Sequence, residues 1–198
     1  MGTNVVYGGH PLLDTVKPSM SKERGVQLFR FTTGEKDRAF YARQSCTGST
    51  KLIRKNVGGR KLLQDKVEGL QFMVPKASTI DRHMLEEAAR EANLEVHIGE
   101  ERVYDMMNIA DAAICASGTA TLETALMGVP TLLVYRVNAL TYWLSKILVH
   151  LDSIGLPNII SGHRIMPELW QDEVTPENIE AAVLPWLVDA QLRRKHDI

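Results

Sequence analysis

From Leu70 onward, short apolar runs alternate with longer amphipathic stretches, which is the pattern of successive βα units. Leu70-Gln-Phe-Met-Val-Pro75 reads as a strand stopped by Pro75. Ser78 or Thr79 is placed to cap a helix from about Ile80 to Ala92, a stretch dominated by Ala, Glu, Met, Leu and Arg. Leu94 to Ile98 reads as the next strand, Val103 to Ala110 as a short helix, and Ala112 to Ala116 as a buried strand of small residues. A helix follows from Thr121 to Met127, closed by Gly128 and Pro130, and then an apolar strand from Thr131 to Tyr135. Asn138 to about Leu151 forms a long amphipathic helix, and Pro176 to Asp189 a last one, with Thr175 as its cap and Pro176 in its first turn.

Strands joined through helices run parallel, so the expected fold class is α/β, a Rossmann-like open parallel sheet with helices on both faces. Ligands of such sheets bind beyond the carboxyl ends of the strands. That rule selects three loops: Gly99 to Arg102, Ser117 to Thr121 and Tyr135 to Asn138. The N-terminal third is less regular. Val5 to Tyr7 has the makings of a strand and Gly8-Gly9-His10-Pro11-Leu12 those of a sharp turn, whereas Ser21 to Lys66 follows neither the helical nor the strand period.

Length and composition restrict the picture. At 198 residues, the chain holds one well-buried domain, or one domain with an appended piece. Hydrophobic residues at 44% and charged residues at 24% exclude a disordered or collagenous chain. Cys46 and Cys115 show no CxxC or Cys/His spacing, so neither a zinc site nor a disulfide framework is expected and a reducing cytoplasm fits. No signal peptide follows Met1, and the apolar stretches are interrupted by Arg136, Lys146, His150 and Asp152, so membrane contact is expected to be peripheral. The net charge of −1 conceals an asymmetry: Ser21 to Lys66 carries 12 Lys and Arg against 4 Asp and Glu. Such a segment meets anionic lipid or phosphate, or is simply a solvated face, the commoner case. Nucleic acid is not expected as a partner, because the basic residues follow no binding motif and aromatic interleaving is sparse.

Candidate chemistry concentrates at Ser117-Gly118-Thr119-Ala120-Thr121-Leu122-Glu123, where a strand becomes a helix. Unpaired amides, the helix dipole and small hydroxyls make an anion site there, and Gly118 allows close approach of the backbone. Glu123 is placed to accept both hydroxyls of a ribose. The competing reading is a plain N-cap at Thr119 or Thr121 with Glu123 as its capping-box partner. GxxxxGK[ST], GxGxxG and GxSxG do not occur, which removes the P-loop, the dinucleotide fingerprint and the serine-hydrolase elbow. The histidines show no metal-ligand spacing; His10 stands apart because a Gly-Gly-His-Pro turn aims its ring from a fixed backbone.

These residues resemble a known family. Ala116-Ser-Gly-Thr-Ala-Thr-Leu-Glu-Thr-Ala-Leu-Met-Gly-Val-Pro130, Val134-Tyr-Arg-Val-Asn138 and Leu140-Thr-Tyr-Trp143 are similar to lipid-A-disaccharide synthase. So are Leu156-Pro-Asn-Ile159, Pro167-Glu-Leu169 with Gln171, and Gly9-His-Pro-Leu-Leu-Asp14. The resemblance implies the C-terminal, donor-binding portion of a GT-B glycosyltransferase, a fold of two Rossmann-like domains around a cleft. It implies transfer of 2,3-diacylglucosamine from UDP to 2,3-diacylglucosamine 1-phosphate, giving lipid A disaccharide 1-phosphate and UDP, with no metal and no cofactor. Ser117, Gly118, Thr119, Thr121 and Glu123 would hold the UDP diphosphate and ribose, Tyr135, Arg136 and Asn138 would line the same pocket, and His10 would face the cleft. The family's general base belongs to an N-terminal acceptor domain that the resemblance places outside this chain, making the chain a fragment. The location implied is the cytoplasm, peripheral on the inner face of the inner membrane of a Gram-negative-type bacterium, where the helix from Leu140 to Leu151 offers Tyr142, Trp143, Ile147 and Leu148 either to acyl chains or to an ordinary core.

On this basis residues 1–20 form an inter-domain connection and first strand, 21–61 a divergent segment, and 62–198 the UDP-sugar-binding domain. Arg24 to Arg60 departs from the family pattern, by an out-of-frame stretch or by real divergence. Where a strand would end in Gly-Ser-Arg, the chain reads Phe40-Tyr-Ala-Arg-Gln-Ser-Cys-Thr-Gly-Ser-Thr50, leaving Arg43 and Arg60 as candidates for the arginine that meets the donor phosphates. Two further readings stand beside the first: another GT-B UDP-sugar transferase or epimerase, and a catalytically inactive UDP-binding module.

Overall fold

The computed structural model describes residues 11–29, 38–44, 62–76, 81–91, 93–116, 118–136 and 153–194, with the backbone alone for 38–44 and 194. In chain order its strands are β1 (Arg38–Gln44), β2 (Leu70–Pro75), β3 (Val96–Gly99), β4 (Ala112–Ala116), β5 (Thr131–Tyr135) and β6 (Glu168–Trp170). They form one sheet in the spatial order β3-β2-β1-β4-β5-β6, every neighbouring pair parallel. The helices are α1 (Leu12–Thr15), α2 (Lys22–Leu28), α3 (Arg82–Glu91), α4 (Val103–Ile109), α5 (Thr119–Leu126), α6 (Leu156–Ser161), α7 (Pro176–Val188) and α8 (Ala190–Arg194). A further helical stretch covers 62–66. The α/β class, with a parallel sheet and helices on both faces, is as expected.

A parallel sheet covered on both faces needs strands that are apolar on both sides, and β2, β4 and β5 meet this requirement. Side chains alternate between the faces with period two. Phe72 and Val74 of β2, Ile114 of β4, and Leu132 and Val134 of β5 pack with Leu63, Leu85, Ile179, Val183, Trp186 and Leu187 on one face. Met73, Ala113, Cys115 and Leu133 point the other way, into a core with Met106, Met107 and Ile109 of α4 and Ala125 of α5. At roughly 1.5–3 kcal/mol per fully buried aliphatic or aromatic side chain, these two layers supply the main folding force.

Where local signals were strong, structure and sequence coincide. β2, β4 and β5 fall on the expected residues. Thr175 Oγ1 accepts the Asn178 amide at 3.2 Å to start α7, as the Thr-Pro pair implied. Gly128, with φ +67°, ends α5: its amide bonds Ala125 O at 2.9 Å and the Val129 amide bonds Thr124 O at 3.1 Å.

Four expectations are corrected. Leu94 lies in the turn that closes α3 and not in a strand, because Asn93 turns left-handed at φ +51° and the Leu94 amide returns to Ala89 O at 3.0 Å; β3 therefore starts at Val96 and runs on to Gly99. α5 begins at Thr119, two residues earlier than expected, and ends at Leu126. Ser21 to Lys66, read as having neither period, contains α2 and the central strand β1. Finally, α6 and the three-residue β6 extend the fold beyond β5. The proposed cap at Ser78 or Thr79, the strand Val5–Tyr7, the turn at 8–10 and the helix from Asn138 to Leu151 lie outside the described residues. No described helix is long and apolar enough to cross a membrane.

Candidate functional site

The order β3-β2-β1-β4-β5-β6 reverses direction between β1 and β4, since the chain winds outward from β1 to one edge and from β4 to the other. Connections leave to opposite faces there, and a crevice opens beyond the carboxyl ends of these two strands. Gln44 of β1 stands opposite Ala116 of β4, so the loop that follows Ala116 enters α5 at the mouth of this crevice. Arg43, opposite Cys115, occupies the same carboxyl end of β1.

Gly118 makes the turn. Its φ of +85° and ψ of −166° lie in a region open in practice to glycine alone, and a Cβ placed there would touch nothing within 4 Å. The requirement is therefore torsional and not one of space. Gly118 is the N-cap, and no side chain caps the helix. Thr121, buried at 1% exposure, donates its hydroxyl to Gly118 O at 2.8 Å, and its amide reaches the same oxygen at 3.1 Å. The capping-box alternative thus fails: Thr121 gives a proton where a cap would accept one. The amides of Thr119 and Ala120 precede that first intrahelical bond, at the positive end of the helix dipole.

Glu123 follows in the second turn of α5, only 8% exposed. The Tyr104 hydroxyl, from the first turn of α4, donates to Glu123 Oε1 at 3.3 Å. Both residues line an open cleft of about 400 Å³, together with Lys17, Ser19, Arg102, Val103 and Asp105. Its outer wall is fixed by a long-range clasp. Asp105, buried at 2% exposure, accepts the Ser19 amide at 2.6 Å, the Ser19 hydroxyl at 2.6 Å and the Met20 amide at 3.1 Å. Asn108 Nδ2 donates to Met20 O at 3.2 Å. These charge-assisted bonds hold the segment after α1 against α4, and so bring Lys17 and Ser19 to the cleft.

A third buried carboxylate lies near the β5–β6 edge. Glu168 accepts from the Gly155 amide at 2.9 Å and Asn158 Nδ2 at 2.6 Å on one oxygen, and from the Ile154 amide at 3.0 Å and Trp170 Nε1 at 3.0 Å on the other. Asn158 also donates to Met166 O and accepts the Ile165 and Met166 amides, each at 2.8 Å. The Leu156-Pro-Asn-Ile159 and Pro167-Glu-Leu169 motifs therefore knit α6 to β6.

Of the residues singled out in the sequence, Gly118, Thr119, Thr121 and Glu123 lie along one loop and helix at the switch point, and Glu123 reaches the cleft. Tyr135 ends β5, opposite Trp170, and Arg136 follows it, both half-buried. Ser117, Asn138, His10 and Arg60 lie outside the described residues. Sequence reasoning missed Tyr104, Lys17, Ser19 and Asp105. The loop Gly99 to Arg102, selected by the carboxyl-end rule, pointed to within two residues of Tyr104; nothing local pointed to Lys17 or Ser19. Among the described residues no three His, Cys, Asp or Glu side chains come together as a metal site.

The family model described as Lipid-A-disaccharide synthetase matches residues 1–198. The chain belongs to that family. The lipid-A-disaccharide synthase of Geobacter metallireducens is 38% identical over 188 residues, which cover 95% of this chain and 49% of that protein. That of Geobacter sulfurreducens is 34% identical over 194 residues, covering 98% and 50%. The chain thus spans about half the length of the curated family members it matches. Among solved structures, WaaG, a glycosyltransferase involved in lipopolysaccharide biosynthesis, superposes with a TM-score of 0.62 at 15% identity, over 96% of this chain and 48% of that one. The C-terminal CMP-Kdo binding domain of WaaA from Acinetobacter baumannii gives 0.57 at 9% identity, over 88% and 91%. At such identities the likeness is one of fold, the Rossmann-like half of a GT-B architecture.

Proposed function

We propose that this chain carries the donor site of a lipid-A-disaccharide synthase, the hexosyltransferase that moves 2,3-diacylglucosamine from UDP to 2,3-diacylglucosamine 1-phosphate. The observation that carries the reading is the turn at Gly118 that starts α5 at the switch point of the sheet, with Glu123 of that helix in the cleft beside it. The diphosphate lies over the first turn of α5, against the loop amides and the hydroxyls of Ser117 and Thr119, where the helix dipole offsets its charge as it grows on the leaving group. Thr121 serves the same site by holding Gly118 O in place. Glu123 takes the ribose hydroxyls, Tyr135 and Arg136 at the end of β5 close that side, and the family resemblance assigns Asn138 to the same pocket. The family resemblance assigns His10 to the cleft, and Arg43, near the end of the ladder between β1 and β4, and Arg60 are the candidates to meet the donor phosphates.

In this reading UDP leaves with its charge held by amides and arginine, with no metal and no cofactor. The acceptor's 6-hydroxyl is deprotonated by a base from the part of the family's architecture that this chain does not span. The lipid substrates are met peripherally at the cytoplasmic face of the inner membrane. Calorimetry with UDP, followed by turnover with the two acylated sugars, tests the proposal. Saturable UDP binding weakened by Glu123→Ala is expected, and absence of UDP binding overturns it. UDP binding without turnover would make this chain a nucleotide-binding module.

A further inference from the structure

We propose that Tyr104 is a positioning residue that makes the cleft selective for a ribonucleotide over its 2′-deoxy counterpart. The inference rests on the reading of Glu123 as the ribose acceptor and adds a residue to it.

Two helices that leave different strands meet at this point. α4 leaves the end of β3 and α5 the end of β4, and the Tyr104 hydroxyl bridges them by donating to Glu123 Oε1 at 3.3 Å. A carboxylate on a glutamate stem has a broad terminal torsion, and only the bonds it makes select one orientation. A diol recognised by that carboxylate donates two protons to it, one from each hydroxyl, and both bonds form well only if the carboxylate plane is already set. The Tyr104 phenol is a rigid arm on two torsions, rooted in a helix whose first turn is fixed from beneath by Asp105 and its bonds to Ser19 and Met20. Tyr104 therefore takes part in setting the carboxylate plane before the ligand arrives, and that share of the ordering cost is met in the free protein and not on binding. A nucleotide with one hydroxyl of the pair missing gains little from such a preset plane, so the benefit falls on the ribose form.

Calorimetry with UDP and 2′-deoxy-UDP, on the chain and on Tyr104→Phe and Glu123→Gln, reads this directly. UDP should bind the unaltered chain roughly 3- to 10-fold more tightly than 2′-deoxy-UDP, the size of one net hydrogen bond. Tyr104→Phe should bring the ratio to within about twofold by weakening UDP while leaving 2′-deoxy-UDP nearly unchanged. A tyrosine that merely tied the two helices together would weaken both ligands alike or neither; either result overturns the proposal. Should the unaltered chain show no preference and Glu123→Gln bind UDP normally, the ribose role of Glu123 itself falls. Should Glu123→Gln abolish a preference that Tyr104→Phe retains, Tyr104 alone is refuted.

Discussion

Glu123 and Glu168 are buried to nearly the same extent, 8% and 7% exposed, yet their surroundings assign them different work. Glu168 takes four N–H donors from its own chain, two on each oxygen, and these draw the start of α6, Asn158 and Trp170 around it. Glu123 takes a phenol on one oxygen and lines a cleft of about 400 Å³. Burial alone does not say what a carboxylate is for. The donors around it do: a carboxylate saturated by N–H groups of its own chain holds a fold together, and one at a cleft wall beside a helix start takes, on the proposed reading, a ligand. Both lie in stretches by which the family is recognised, so motif membership does not separate them either.

The contrast can be broken by substitution. The largest effect is expected from Glu168→Ala, which takes the acceptor from four N–H donors, two of them buried, and should cost about 3 kcal/mol of stability, read as a lower urea midpoint; an unchanged midpoint would remove its structural role. Glu123→Ala should do the reverse, weakening UDP by about 1–3 kcal/mol while the midpoint stays within ~1 kcal/mol of the parent. Gly118→Ala forces an alanine into a glycine-only conformation with nothing for its methyl to strike, so a torsional cost of about 1–2 kcal/mol should appear, together with weaker UDP binding as the turn relaxes. The smallest effect belongs to Tyr104→Phe, whose stability should change by no more than about 1 kcal/mol, so that its signature is the ligand ratio and not the melt. If Glu123→Ala unfolded the chain and Glu168→Ala spared it, the assignment of the two carboxylates would have to be exchanged.

How much of this was legible beforehand follows from where the information lies. β2, β4 and β5 are interior parallel strands buried on both sides, so they stand out as short, mainly apolar runs. β1 is equally interior by position, but Arg38-Ala-Phe-Tyr-Ala-Arg-Gln44 has polar ends and sits in a basic segment without period; its place comes from pairing with β2 and β4, which no local pattern encodes. The register of β3 was misread because Leu94 is apolar and buried for a different reason, the left-handed end of α3. At the site, Gly118 and Glu123 were legible because loop, turn and helix start occupy one short stretch. Lys17, Ser19 and the Asp105 clasp were not, because 86 residues separate Ser19 from Asp105, and Tyr104 is defined by a contact between two helices.

The central placement of β1 also bears on how the chain is made. Synthesis delivers β1 first, β2 next to one side of it, and the other flank only when Ala116 has left the ribosome. Until then β1 is the edge strand of a partial sheet, an open ladder of amides and carbonyls ready to accept a strand from another chain. The same order that creates the crevice in the finished molecule thus sets a vulnerable interval in its assembly. A polypeptide that stopped before β4 would carry that open edge permanently.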